Sequence, residues 1–311
     1  MAHSVKGQNL LADVEALRGI IDAVPHPIFV KDNESRFLIV NDAMCRFMGR
    51  KFDDLIGKLD QDFVPKEQAE VFQENDRGVL RDGEINENEE PFTDSLGELR
   101  TIVTRKSRFV LSGGEPLLIG CITDISDFRR AESAIRHHAE HDNLTGLANR
   151  LLFTRQLSDA LAADRPSGLS AALLVVDLDG FKAVNDTLGH AAGDNILVQT
   201  ALALNELGGD ACHVARLGGD EFAIVQRSAA QPIAAVALAN TVVERLARPT
   251  FIGRRRVVIS GSVGIAIAGG TRSTSEAMLR QADLALYAAK KEGRNCWRVF
   301  SRRTQSAGAA A

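Results

Sequence analysis

The four cysteines of this chain do not pair in sequence. Cys45, Cys121, Cys212 and Cys296 are widely separated, with no Cys-x-x-Cys among them. That spacing argues against a disulfide framework or a zinc site and fits reduced thiols. No apolar run is long enough to span a bilayer, and the most apolar stretch, residues 169–176, reads as a buried strand. Residues 1–8 are polar and lack the apolar core of a signal peptide, so the expected location is the cytoplasm. Charge of neither sign dominates: 37 Lys and Arg stand against 41 Asp and Glu, a formal net charge of -4. This gives no electrostatic case for nucleic-acid binding or membrane insertion. No internal repeat is visible. What is present is 311 residues, 45% hydrophobic and 25% charged, enough for two domains with buried cores.

The order of elements falls into two halves. Leu10, Val14, Leu17 and Ile21 form a helical stripe that Pro25 closes. Residues 27–32 and 36–40 read as a hairpin across Asp32-Asn33-Glu34-Ser35, and short helical pieces follow to about Asp82. Strand-like runs near 84–92, 99–109 and 117–122 are separated by turns at Ser95-Leu96-Gly97 and Ser112-Gly113-Gly114. An antiparallel sheet with helices accounts for this half. Residues 127–141 are charged and helical, with Phe128, Ala131, Ile135 and His138 on one stripe; a solvated linker and a signalling helix both fit. His137, His138 and His141 on that helix read as solvated or interdomain contacts rather than metal ligands. Strands expected at 171–177, 213–217, 222–226 and 257–268 then alternate with helices at 150–163, 194–207, 232–247 and 275–291, an α/β pattern. The final residues, 306–311, read as a disordered tail.

Chemistry concentrates in the second half. Val175-Val176-Asp177-Leu178-Asp179 ends an apolar strand in two carboxylates, and Arg216-Leu217-Gly218-Gly219-Asp220-Glu221-Phe222 holds two more beside a glycine turn. If the two strands are neighbours, Asp177 and Asp220 converge, and adjacent carboxylates repel unless a cation or proton relieves them. Oxygen-only ligands suit magnesium or manganese, and two such ions could clamp a triphosphate. The competing reading has Asp177 and Asp179 capping the next helix. Lys182 lies within reach of a phosphate bound there. Asn185 and Asp194 have the amide and carboxylate that can read guanine, although Asp194 also fits a helix N-cap. Lys290 and Arg294 flank Gly293, where basic groups either grip phosphate or complement a helix dipole.

Taken together, Asp142-Asn143-Leu144-Thr145-Gly146-Leu147-Ala148-Asn149-Arg150, Asp177-Leu178-Asp179-Gly180-Phe181-Lys182, Asn185-Asp186-Thr187, Gly189-His190, Gly193-Asp194, the 218–222 run and Lys290…Gly293-Arg294-Asn295 resemble the GGDEF family of diguanylate cyclases. The resemblance covers about 142–300. It implies a catalytic fold related to nucleotidyl cyclases and polymerase palms, and a homodimer that condenses two GTP into cyclic di-GMP with release of pyrophosphate. It further implies magnesium (or manganese) held by Asp177, the Leu178 carbonyl, Asp220 and Glu221. Asp220 or Glu221 would help deprotonate the attacking 3′-hydroxyl, and Lys182 would stabilise the transferring phosphoryl group. Asn185 and Asp194 would read guanine, His190 would contact substrate, Lys290 and Arg294 would grip phosphates, and cyclic di-GMP effectors would act downstream.

One position set departs from the family. The inhibitory Arg-x-x-Asp that precedes the Gly-Gly turn in many members is Gly209-Asp210-Ala211-Cys212 here, so no product-inhibition site is expected. Upstream, Pro27-Ile28-Phe29-Val30-Lys31-Asp32, Phe37-Leu38-Ile39-Val40-Asn41, Ile56-Gly57-Lys58 and Gly120-Cys121-Ile122-Thr123-Asp124-Ile125-Ser126 are similar to a PAS sensor domain. Its ligand is not legible: Cys45 does not stand where flavin photosensors place theirs, and His26 between two prolines supports no haem. The expected organisation is a lead-in at 1–16, a PAS domain at 17–126, a helical linker at 127–141, a GGDEF domain at 142–303 and a tail at 304–311. The expected fold class is a two-domain α+β and α/β protein.

Overall fold

The computed structural model describes residues 19–110, 114–163, 169–253, 255–269 and 273–301. The predicted stripe at Leu10, Val14 and Leu17, the Ser112-Gly113 turn and the tail lie outside the described residues. The chain divides into two compact units, Met1–Ser133 and Ala134–Ala311, with the boundary inside the predicted linker.

In the first unit β1 (Ile28–Lys31) and β2 (Phe37–Val40) form the expected hairpin. Helices α1 (Asp42–Met48), α2 (Phe52–Leu55) and α3 (Lys66–Asp82) follow; the last is one 17-residue helix rather than short pieces. Strands β3 (Asn86–Thr93), β4 (Leu99–Val110) and β5 (Pro116–Asp124) complete an antiparallel sheet of order β2-β1-β5-β4-β3. Asn41, fully buried, fixes the first crossing. Its Oδ1 accepts from the Met44 and Ile28 amides, both at 2.9 Å, and its Nδ2 donates to the Ile21, Val24 and His26 carbonyls. One interaction thus caps α1 and ties it to the incoming chain. Inside the core, Lys31 Nζ lies 2.6 Å from Asp60 Oδ2 and 2.9 Å from Asp76 Oδ2, and Lys106 Nζ lies 2.7 Å from Asp76 Oδ1. These paired charges border a cavity of about 30 Å³ with Phe29, Phe37, Phe92 and Glu90. That is room for a water molecule or two.

Helix α4 (Ser126–Glu140) carries the chain into the second unit, close to its predicted bounds. Its last turn is held by Asn149, whose amide donates to the Glu140 carbonyl at 2.9 Å and whose Nδ2 donates to the Ala139 carbonyl at 2.7 Å. Asn149 also caps α5 (Arg150–Ala162) through its Oδ1. The sheet then builds around β6 (Ser170–Asp179), with β7 (Cys212–Gly218) and β8 (Glu221–Ala229) on one side and β11 (Ser260–Ile267) and β12 (Trp297–Val299) on the other. Among the described strand pairs of this sheet, β11–β12 is parallel and the others are antiparallel.

Side chains of β6 alternate between two cores, which explains its continuous apolar run. Ala172, Leu174, Val176 and Leu178 pack with α7 (His190–Gly208) and α8 (Ile233–Leu246), whereas Ala171, Leu173 and Val175 pack with α5 and α9 (Ser275–Lys291). At Gly264 of β11 an added Cβ would lie 2.1 Å from the Ala282 carbonyl oxygen, so α9 rests directly on the strand backbone. The second unit departs from the sequence expectation after β6 and around β11. A helix α6 (Phe181–Leu188) follows β6, α7 begins at His190 rather than Asp194, and the strand predicted at 257–268 is interrupted. Its first residue belongs to a hairpin, β9 (Thr250–Ile252) with β10 (Arg255–Val257).

Candidate active site

The alternation that divides the core also aims the carboxylates. Asp177 shares the parity of Leu173 and Val175, and Glu221 that of Ala223 and Val225, so both side chains leave the sheet on the face that α5 and α9 cover. The β6–β8 register pairs Asp177 with Glu221, whereas Asp220 stands in the turn one residue before. Glu221 therefore stands directly across from Asp177, and Asp220 is near enough to add to the rise of the Asp177 carboxyl. The turn bends through Gly218 at φ 143 and Gly219 at φ 54, the latter a left-handed conformation that glycine adopts without strain. Arg216 fixes it. Its Nε and Nη2 donate to the Gly219 carbonyl at 3.0 and 2.8 Å, while its Nη1 lies 2.9 and 3.1 Å from the two oxygens of Asp142. Burial opposes the charge on Asp142, but hydrogen bonds from Thr145 and Arg216 outweigh it and hold the carboxyl below its ordinary value.

Asp177 is 8% exposed, and its Oδ2 lies 2.7 Å from Lys290 Nζ. Burial raises its carboxyl above the ordinary range; Lys290 opposes the rise, and Asp220 and Asp179 add to it. Glu221 is raised by burial and then by Asp177 and Asp283, against Arg150 and Lys290. Asp283 on α9 is likewise raised by burial, with Arg150 opposing. Arg150 in turn donates from Nε to the Leu217 carbonyl at 3.3 Å. Sequence reasoning missed Asp283. Its signal was the seven-residue spacing to Lys290, which places both on one helical face.

Among the described residues, no three His, Cys, Asp or Glu side chains are arranged to hold a metal ion. The predicted set of Asp177, Leu178, Asp220 and Glu221 is thus adjacent in space but not drawn into a cage. Lys290 Nζ, 2.7 Å from Asp177 Oδ2, is the cation that faces this carboxylate. The donors nevertheless fit a hard divalent cation. All are oxygens, and Asp177 and Glu221 are raised by burial and by neighbouring carboxylates, a burden a cation would relieve.

The remaining predicted residues lie around the end of β6. Lys182 is exposed on the first turn of α6, a helix whose N-cap is Gly180 with no side-chain cap, so its first N–H groups face the strand end. This anion-binding arrangement was also missed; its signal was Gly180 between Asp179 and the Phe181-Lys182 pair. Asn185 is half-buried, with Oδ1 enclosed and lacking a hydrogen-bond partner. It fits there only because residue 193 is glycine, where a Cβ would lie 1.9 Å from that oxygen. Asp194, exposed, is the next residue along α7. The N-cap reading of Asp194 does not hold, since Gly189 occupies that position. His190 is exposed at the first turn of α7, and Arg294 is exposed in the turn beyond α9. Asp179 does not cap a helix. It accepts from Ser260 Oγ, Ser262 Oγ and the Asn295 amide. Gly209 and Cys212 bracket a single 3-10 turn, and burial raises the Cys212 thiol.

The chain thus carries an antiparallel five-stranded sheet with helices in its first unit and an α/β sheet with carboxylates at its strand ends in its second. Residues 139–296 match the family described as diguanylate cyclase, GGDEF domain, and residues 21–130 match the PAS fold. The chain belongs to the GGDEF family, with a PAS domain ahead of the GGDEF domain. It is 32% identical over 303 residues, 97% of its length, to an uncharacterized signaling protein of Caulobacter vibrioides. It is 32% identical over 286 residues, 91% of its length, to the cyclic di-GMP phosphodiesterase PdeR of Escherichia coli. To the diguanylate cyclase TpbB of Pseudomonas aeruginosa it is 36% identical over 168 residues, 54% of its length. The chain spans 37%, 42% and 39% of the length of these relatives, respectively. The solved GGDEF domain of TpbB superposes with a TM-score of 0.51, covering 54% of this chain and 98% of that one.

Proposed function

We propose that the chain is a diguanylate cyclase that condenses two GTP into cyclic di-GMP and two pyrophosphates. The observation that carries this reading is the Asp177–Glu221 pair facing across β6 and β8, with the Lys290 ammonium already bonded to Asp177. Magnesium or manganese, held by Asp177, the Leu178 carbonyl, Asp220 and Glu221, would supply Lewis-acid stabilisation of phosphoryl oxygens. Asp220 or Glu221 takes the proton of a ribose 3′-hydroxyl. The hydroxyl oxygen bonds to the α-phosphorus of the second GTP, and the bond to the β-phosphate breaks as pyrophosphate leaves. Lys182, the open N-terminus of α6, Lys290 and Arg294 neutralise the phosphate oxygens. Asp194 accepts from the guanine N1–H and amino group, and Asn185, whose enclosed oxygen has no partner in the protein, meets the remaining edge.

One protomer holds one GTP, so the reaction needs a homodimer, and the PAS domain and α4 regulate how two catalytic domains meet. With Gly209 and Cys212 in place of Arg and Asp, the product does not inhibit through that segment. A second reading is that the GGDEF domain binds GTP or product without turnover; the relative PdeR is named a cyclic di-GMP phosphodiesterase rather than a cyclase. Incubation with GTP and magnesium, with nucleotides resolved by chromatography, separates the two. Cyclic di-GMP appearing in wild type and lost in Asp220→Ala supports the cyclase, and added product is then expected to leave the rate unchanged. GTP binding without product supports the second reading.

A further inference from the structure

Asp179 is the one carboxylate of the strand-end group that the proposed chemistry does not use. Its side chain is only 6% exposed and is turned towards β11 and the turn after α9. Oδ1 accepts from Ser262 Oγ at 2.8 Å; Oδ2 accepts from Ser260 Oγ at 2.8 Å and from the Asn295 amide at 3.0 Å. The Arg294 Nε is 4.0 Å from Oδ1, with that side chain 61% exposed and free to reach outward. The turn itself is strained. Gly293 at φ 114 is followed by Arg294 at φ 63 and Asn295 at φ 48, two consecutive non-glycine residues in left-handed backbone. Asparagine tolerates that region, but arginine occupies it rarely. Such strain persists only where the surroundings enforce it, and it clusters at sites that hold a ligand. Here the enforcing bonds come from Asp179 on one side and from the Ala289 carbonyl, which accepts from the Arg294 amide at 3.2 Å, on the other.

We propose that Asp179 is a positioning residue that clamps the 293–295 turn in its left-handed form and so presents Arg294 and Lys290 to the phosphates of GTP. The inference rests on the reading of this cleft as a GTP site. The backbone bond to Asn295 does the holding, and it is not given up when the Arg294 guanidinium turns from Asp179 to a phosphate. The clamp also joins the β6 end that carries Asp177 to the turn that carries Arg294, so the carboxylate side and the cationic side of the cleft keep a fixed spacing.

The test is Asp179→Asn, which keeps the shape and one acceptor but loses the charge and the second acceptor. Binding of inorganic pyrophosphate, GTP and guanosine is measured by calorimetry, alongside steady-state turnover. Pyrophosphate and GTP affinity are expected to fall about tenfold while guanosine changes less than about twofold, and KM to rise with kcat within about threefold. Equal weakening of guanosine or unchanged pyrophosphate affinity overturns the proposal. If Asp179→Asn does not fold, Ser262→Ala is expected to give the same ranking at about two- to threefold, and equal effects on all three ligands overturn it. Pyrophosphate affinity reports on the clamp, whereas absence of GTP turnover in the wild type counts against the cyclase reading alone.

Discussion

The Arg216–Asp142 pair joins the residue just after the linker helix to the catalytic turn, and its removal should cost both stability and turnover. Its side chains are 12% and 23% exposed, so the pair is partly screened and worth less than a fully buried one. A hydrogen bond involving a charged group contributes roughly 1.5–3 kcal/mol net, and partial exposure puts the Asp142–Arg216 coupling near 1–2 kcal/mol. Asp142→Asn retains an acceptor for Thr145, whose amide and Oγ1 donate to Asp142 Oδ1 at 2.9 and 2.7 Å, and loses mainly this coupling. Arg216→Ala also frees the Gly219 carbonyl from two donors and should cost more. A loss of 1 kcal/mol corresponds to about 2–4 °C in Tm for a domain of this size. A double-mutant cycle by thermal or urea unfolding, with GTP turnover measured on the same four proteins, tests the estimate. Because the turn carries Asp220 and Glu221, Arg216→Ala is expected to lower kcat by about tenfold or more, equivalent to about 1.4 kcal/mol. Coupling below about 0.3 kcal/mol with undiminished turnover in Arg216→Ala would refute the reasoning.

Three further outcomes are expected. Gly193→Ala drives a methyl into the space of Asn185 Oδ1, 1.9 Å from the built Cβ, and since a side chain rather than backbone must yield, the fold survives while GTP affinity falls about tenfold; calorimetry giving wild-type affinity would contradict this. Because Glu221 is raised above its ordinary 4.5, the native state binds its proton more readily than the unfolded state, and stability falls as pH rises through that window. Ligand-free Glu221→Gln should therefore melt above wild type at pH 7, with the gap closing below pH 4.5; a variant melting lower at pH 7 would be inconsistent with the repulsion. Asp76→Asn leaves Lys31 and Lys106 without their shared, fully buried counter-charge and should destabilise the first unit by about 3–5 kcal/mol, read as loss of its urea transition relative to wild type.

The sequence made the two-unit plan and the β6 strand readable, because a strand buried on both faces has to be apolar throughout. Helix α9 was equally plain, with Thr274 capping its start. Helix α6 was hidden because its cap is a left-handed glycine and its exposed face carries Lys182, Asp186 and Thr187, which resemble a polar loop. The start of α7 was hidden in the same way by Gly189 at φ 84. That Glu221, not Asp220, faces Asp177 depends on a one-residue choice of register that alternation alone does not fix. The Arg216–Asp142 bond joins residues 74 apart, and the Asp179–Asn295 bond residues 116 apart. Such contacts exist only once the sheet has formed, so no local pattern announces them.

The cleft is proposed to join two GTP molecules. Purified full chain with GTP and magnesium, followed by mass-resolved nucleotide analysis, should yield cyclic di-GMP and pyrophosphate in a 1:2 ratio. Both products should vanish in a folded Asp177→Asn variant. Bound GTP recovered intact from the wild-type protein, with neither product formed, would contradict the account.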